Sequence, residues 1–151
     1  MKRCRVCFSD KIEKINNTLS ICKECGFTFS NINIPPKKDL KVEENILYIE
    51  YYSAKELFHD FSRDRFDIVY AKDYIENVSN PMAHIYDLNR IMKKNSYGII
   101  KINKGNLSGN YFSRKILCDM FIKAGFKVIN KNFLSQILSV FKKDIIIKFK
   151  K

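Results

Sequence analysis

Residues 66–102, FDIVYAKDYIENVSNPMAHIYDLNRIMKKNSYGIIKI, decide the fold. Phe66, Ile68, Val69 and Tyr70 form an apolar run broken only by Asp67, the pattern of a strand buried on both faces. Asn80-Pro81 supplies a capping side chain and then proline at the first helical position. Met82, Ile85, Leu88 and Met92 recur at three- and four-residue spacing and mark one face of a helix. Residues 95–98 interrupt that pattern, and Ile99, Ile100 and Ile102 make a second buried strand. Strand, loop, helix and strand at this length predict a parallel βαβ unit with a right-handed crossover.

The flanks extend the same scheme. Residues 45–52 (NILYIEYY) form a β-rich apolar run, and Ser53-Ala54-Lys55-Glu56 reads as a capping box opening a short helix to about Phe61. With no other strand available, 45–52 is expected to pair beside 66–70 and to complete a second βαβ unit. Beyond Ile102, residues 103–110 make a loop rich in glycine and asparagine. Ser113 caps a helix lined by Phe112, Ile116, Leu117, Met120, Phe121 and Ala124, and Gly125 ends it in the left-handed position. Residues 126–132 read as a strand, 133–141 as a short helix or a loop, and 144–149 as a final strand.

The first thirty residues follow different rules. Cys4-x-x-Cys7 and Cys22-x-x-Cys25 enclose fourteen residues, 8–21, close to the two-knuckle spacing of zinc sites. Each Cys-x-x-Cys turn aims two thiolates at one point, and two turns complete a tetrahedral shell at ~2.3 Å per sulfur. Gly26 supplies the permissive backbone such a knuckle needs. Residues 11–15 and 18–21 read as short strands around Asn16-Asn17. The pattern predicts a zinc ribbon at 1–31 with Cys4, Cys7, Cys22 and Cys25 as ligands. With four thiolates and no open position, the zinc is expected to be structural. A linker at 32–44, stiffened by Pro35-Pro36 and then charged, leads to an α/β domain at 45–151.

Bulk composition narrows the function class. The chain has 151 residues, 46% of them hydrophobic, which excludes a disordered tail and suits one modest core. No apolar run approaches the ~18–20 residues of a membrane span. The opening MKRCRVC lacks the apolar core of a signal peptide, so a cytoplasmic location with reduced cysteines is expected. Net charge is +12 and invites a nucleic-acid reading. Against it, only Arg3, Arg5, Arg63, Arg65, Arg90 and Arg114 are arginines; the other basic residues are lysines scattered along the chain. Solvated background is therefore favoured, with a zinc-ribbon nucleic-acid binder as the alternative reading. His59, His84 and Cys118 lie in helical stretches without a visible partner and read as surface or packed side chains.

The central stretch also resembles the second half of the class I S-adenosylmethionine-dependent methyltransferases of the type 11 pattern. That pattern reads FDvV, then EHv, dP, RvLkpgG and a strand. The matching residues are Phe66-Asp67-Ile68-Val69, Glu76-Asn77-Val78, Asn80-Pro81, Arg90-Ile91-Met92-Lys93 and Tyr97-Gly98-Ile99-Ile100. Ala124-Gly125-Phe126 resembles the family's aGF ahead of its sixth strand, and Cys22 to Asn31 resembles the ribbon that precedes some of its members. The resemblance implies a reduced Rossmann-like domain with a mostly parallel sheet of about five strands, the last antiparallel to 126–132. It places Lys72, Asp73 and Glu76 near an acceptor substrate as catalytic candidates, and Glu50, Tyr51 and Tyr70 near the cofactor. The family's His in EH is Asn77 here, which removes a proton acceptor.

One departure outweighs the matches. Methyltransferases of this kind carry a glycine-rich turn after the first strand, which lets backbone approach the cofactor closely, whereas no glycine stands between Phe27 and Tyr97 here. Residues 45–52 are either a degenerate first strand or a third strand with the first two missing. Both readings imply a truncated relative whose S-adenosylmethionine site is impaired. It would be a non-catalytic scaffold beside a protein partner, or a weak, partner-dependent methyltransferase that is inactive alone.

Overall fold

The computed structural model describes residues 3–30, 39–50, 58–103, 111–129 and 144–151. Expectations for Tyr51, for the capping box at 53–56, for the loop at 104–110 and for 133–141 lie outside these residues.

Three strands make the N-terminal unit: β1 (Ile12–Lys14), β2 (Leu19–Cys22) and β3 (Thr28–Ser30), paired antiparallel in that order. The β1–β2 turn forms because the Asn16 carboxamide oxygen accepts from the backbone N–H of Thr18 and Leu19. An asparagine can satisfy a turn's donors in this way, as its position in the sequence foretells.

The second sheet has six strands in the order β4-β5-β6-β7-β9-β8. They are β4 (Asp39–Glu43), β5 (Ile46–Glu50), β6 (Phe66–Lys72), β7 (Met92–Asn103), β8 (Lys127–Val128) and β9 (Asp144–Lys150). Among the described residues the unit also has two α-helices, α1 (Pro81–Ile91) and α2 (Arg114–Lys123). The α/β class and the expected pairing of 45–52 with 66–70 both hold: β5 lies parallel to β6, with Tyr48 opposite Tyr70. Parallel pairing stops at β7, however. The β4–β5, β7–β9 and β8–β9 pairs are antiparallel, so the sheet is mixed, with a parallel centre, instead of mostly parallel. β4 accounts for one extra strand. Its residues were expected to end a solvated linker, but Leu40 and Val42 sit opposite Ile49 and Leu47 in a hairpin turned by Glu44 at φ 48°.

The capping chemistry works as the sequence suggests. The Asn80 side chain accepts from Ala83 N, Pro81 opens α1, the Ser113 side chain accepts from Ile116 N, and Gly125 at φ 91° follows α2. α1 ends earlier than its apolar spacing implies. Met92 is already extended and begins β7, with its side chain still in the core. Arg90 explains the stop. Its Nη1 and Nη2 donate to the carbonyls of Phe61 and Phe58 at 2.7 and 2.8 Å, and its Nε donates to Asp87 at 2.5 Å. Asp87 also accepts from Phe58 N at 2.7 Å. Helix end and incoming turn are thus tied together just ahead of β6.

One core runs through both sheets. Phe27 stacks on Phe29 and meets Phe112 at 5.0 Å between ring centroids, while Tyr111 N donates to Thr28 O at 2.8 Å. At the far end Phe149 packs on Phe121 and Phe126, with centroids 4.5 and 4.7 Å away, and lies over Gly98. The strands are less enclosed than their composition suggests. β6 buries Phe66, Val69 and Ala71 but leaves Ile68 44% and Tyr70 36% exposed, so among the described residues its second face is only partly covered.

Candidate functional site

The cysteine cluster is built by two matching turns. In the first, Phe8 N donates to Cys4 O at 3.0 Å; in the second, Gly26 N donates to Cys22 O at 2.8 Å. The residue after each pair is left-handed, Phe8 at φ 63° and Gly26 at φ 71°. Gly26 is legible in the sequence as the residue for that position. Phe8 is not, because a bulky aromatic seldom takes a positive φ. Its ring is solvent-facing, with the Lys123 ammonium 5.7 Å from its centroid.

The two turns bring the sulfurs of Cys4, Cys7, Cys22 and Cys25 within 4.8 Å of one another. Cys4 and Cys25 Sγ are 3.6 Å apart, and Cys7 and Cys22 Sγ 3.5 Å. A tetrahedron with metal–sulfur bonds of ~2.3 Å has edges of ~3.8 Å, whereas a disulfide would need about 2.05 Å. The spacing fits a metal ion held by four thiolates. Local backbone donors favour ionised sulfur at two positions. Val6 N points to Cys4 Sγ at 3.4 Å. Burial alone would raise the Cys22 thiol, but the N–H groups of Cys25 and Glu24 and the neighbouring thiols outweigh it and bring it down to about 7. Burial raises Cys4 and Cys25, and in Cys25 the thiols of Cys7 and Cys4 add to the rise. A cation at the centre would reverse that penalty, since thiolate ligation removes the protons outright. Cys7 and Cys25 are half-buried and border an open groove of about 620 Å³, whose other walls include Met82, Ile116 and Met120.

The remaining candidates lie along the carboxyl ends of the parallel strands, where open α/β sheets bind ligands. Glu50 ends β5 and Lys72 ends β6; they are register partners and their side chains form an ion pair at 2.5 Å. Lys72 holds the Glu50 carboxyl below the usual carboxylate range, and Glu50 raises Lys72 in turn. Asp73 follows at φ 49°, its N–H bonded to Lys101 O and its carbonyl accepting from Asn77 Nδ2 at 2.6 Å. Glu76 lies in a short 3-10 turn (Ile75–Asn77) and is buried at 2% exposure. Lys72 and Glu50 are thus brought together, while Glu76 is turned into the protein interior. Tyr70 lies two residues before the strand end, on the exposed face, with its ring centroid 6.4 Å from that of Tyr48. His84 is no surface residue: its Nδ1 is 2.6 Å from Tyr74 Oη inside the core, a packed imidazole.

No family model and no curated protein matches this chain. Solved structures do. A Mesorhizobium loti S-adenosylmethionine-dependent methyltransferase is similar over 60% of this chain and 64% of its own, at 6% identity and TM-score 0.49. A Thermotoga maritima enzyme of the same description covers 60% and 58% at 19% identity and TM-score 0.46. One from Aquifex aeolicus covers 74% and 53% at 17% identity and TM-score 0.46. The likeness is one of fold. The chain spans less than two thirds of the length of each of these structures. A Haloferax volcanii methyltransferase solved in complex with a methyltransferase activator is also similar, at 11% identity and TM-score 0.48, over 60% of this chain and 55% of its own. Among the described residues no helix is long and apolar enough to cross a membrane.

Proposed function

We propose that this chain is a methyltransferase-family protein with a structural zinc ribbon and a degenerate S-adenosylmethionine site, serving as a non-catalytic scaffold for a protein partner. The observation that carries the reading is the Glu50–Lys72 ion pair at the mouth of the parallel strands. A nucleoside held there would need bare backbone to lie against, and glycine is what exposes backbone. Here β5 and β6 present two long charged side chains at that edge, and no glycine occurs from residue 28 to residue 96. Methyl transfer depends chiefly on alignment of donor and acceptor, so loss of the donor cradle outweighs the presence of Asp73 or Glu76. Zinc at Cys4, Cys7, Cys22 and Cys25 holds the ribbon, and reduced thiols there suit a cytoplasmic setting.

Isothermal titration of the zinc-loaded chain with S-adenosylmethionine and S-adenosylhomocysteine tests the proposal. No heat of binding is expected up to millimolar ligand. A dissociation constant tighter than ~100 μM, about −5.5 kcal/mol, would overturn it and favour a weak, partner-dependent enzyme.

A further inference from the structure

The six-stranded sheet has two unlike faces. Residues paired directly across neighbouring strands share a face, so the register sorts the side chains without ambiguity. One face carries Leu47, Val69, Gly98 and Phe149 in a row and is buried. On the opposite face the pairing aligns Ile46, Ile68, Tyr97 and Lys150 in one row, and Tyr48, Tyr70, Ile99 and Lys148 in the next. Tyr97 is 51% exposed, Ile68 44% and Tyr70 36%, and among the described residues no helix covers them. Among the described residues the helices lie on one side of the sheet only, and the tyrosines on three adjacent central strands of the other side form a platform exposed to solvent.

Charge on this platform is graded. Toward β4 the lysines are matched: Lys41 pairs with Glu43, and Lys72 with Glu50. Toward β8 the same face carries Lys127, Lys148 and Lys150, whereas Glu43 and Glu50 of these rows lie on β4 and β5, where they pair with Lys41 and Lys72. Lys150 reaches over the Tyr97 ring, its ammonium 5.3 Å from the centroid. Aromatic rings beside a cationic margin match unpaired bases joined by phosphates, since every base offers a π-face and every phosphate a negative charge. A second copy of the chain fits poorly, because each would press its lysine margin on the other. Duplex nucleic acid fits poorly too, because its bases are stacked on one another and cannot lie on the tyrosines.

We propose that the open face of the sheet binds single-stranded nucleic acid, with Tyr48, Tyr70 and Tyr97 stacking two or three bases and Lys127, Lys148 and Lys150 holding the backbone. The surface shares Tyr70 with the candidates considered above, but Tyr97 and Lys150 lie two rows away from the Glu50–Lys72 pair, so Tyr97→Ala tests nucleic-acid binding separately from cofactor binding.

Fluorescence anisotropy of labelled 12-nucleotide RNA and DNA single strands, with a duplex of equal length, tests this on the full zinc-loaded chain. Single strands are expected to bind at 50 mM salt and to weaken steeply by 200 mM, and the RNA and DNA arms show which sugar is preferred. Tyr70→Ala and Tyr97→Ala are each expected to weaken binding about tenfold, with Tyr→Phe at the same positions restoring it. Lys148→Glu should lower the salt dependence. Far-UV circular dichroism and zinc content establish that each variant is folded. Equal affinity for duplex with no effect of the tyrosine changes would mean polycation binding only and would overturn the proposal. So would absence of binding at low salt, or sedimentation showing that the tyrosines support self-association instead.

Discussion

Replacing Gly98 by alanine is the sharpest check on the packing described above. A Cβ built on Gly98 lies 2.0 Å from Cζ of Phe149 and 2.3 and 2.7 Å from its Cε atoms. Normal carbon contact is about 3.5–4.0 Å, so the ring would have to retreat by more than an ångström. It has nowhere to go: Phe149 is fully buried and braced by Phe121 and Phe126. Backbone conformation is not at issue, because Gly98 shows no positive φ. The expected cost is therefore that of overpacking a closed core, about 3 kcal/mol. Equilibrium urea unfolding at a fixed excess of zinc, followed by circular dichroism, measures it. Phe149→Leu alone should also destabilise, but the pair Gly98→Ala with Phe149→Leu should cost at least about 1 kcal/mol less than the sum of the two. A Gly98→Ala protein within about 0.5 kcal/mol of wild type, or strictly additive variants, would mean that β7 and β9 do not meet as described.

Four further outcomes are expected. Zinc removal by a chelator should erase amide protection in β1–β3 and loosen the start of α2, since Phe27 and Phe112 share one core; acid should do the same as protons compete for the thiolates, and unchanged hydrogen exchange without metal would refute a structural role. Gly26→Ala should cost about 1–2 kcal/mol through its positive φ alone, because nothing lies within 4 Å of the added methyl; a neutral result in urea unfolding would contradict the knuckle geometry. Arg90→Met should destabilise by about 2–3 kcal/mol, as Asp87 loses its charged donor and two carbonyls lose theirs, and a proteolysis assay should show the 58–61 turn opening first. In Lys72→Ala the Glu50 carboxyl should rise toward its ordinary range. The sign follows from a depressed carboxyl: whatever the bridge adds is present above the unfolded value near 4.5 and fades as pH falls through the lower folded one. Carbonyl NMR titration reads this directly, and an unmoved Glu50 would show that the pair does not form in solution.

Much of the chain follows from short-range chemistry, which a sequence displays openly. Asn80-Pro81, Ser113, Gly125 and Asn16 do as caps and turn residues what their side chains permit within three or four positions. Two Cys-x-x-Cys pairs meet because each turn aims its own sulfurs. The parallel centre of the sheet was legible from the alternation of apolar runs with one amphipathic helix. Where reading by pattern failed, the deciding contact was distant in sequence. Met92 kept the helical spacing yet became the first residue of β7, because Arg90 is bound by carbonyls some thirty positions earlier. Leu40 and Val42 sat in a charged run and gained a strand only by having β5 to pair with. Phe8 took a glycine's conformation, which no local preference favours.

The sequence by itself determined the four-thiol cluster, the two capped helices and the strand pairing at the heart of the sheet, because each depends on residues that are near neighbours or on periodicity along one element. Only the tertiary structure decided which side of that sheet is enclosed. An apolar run such as 66–70 is the same string whether helices cover one face or two; burial is a property of what packs against it, and here Ile68, Tyr70 and Tyr97 face outward on the side that α1 and α2 do not cover.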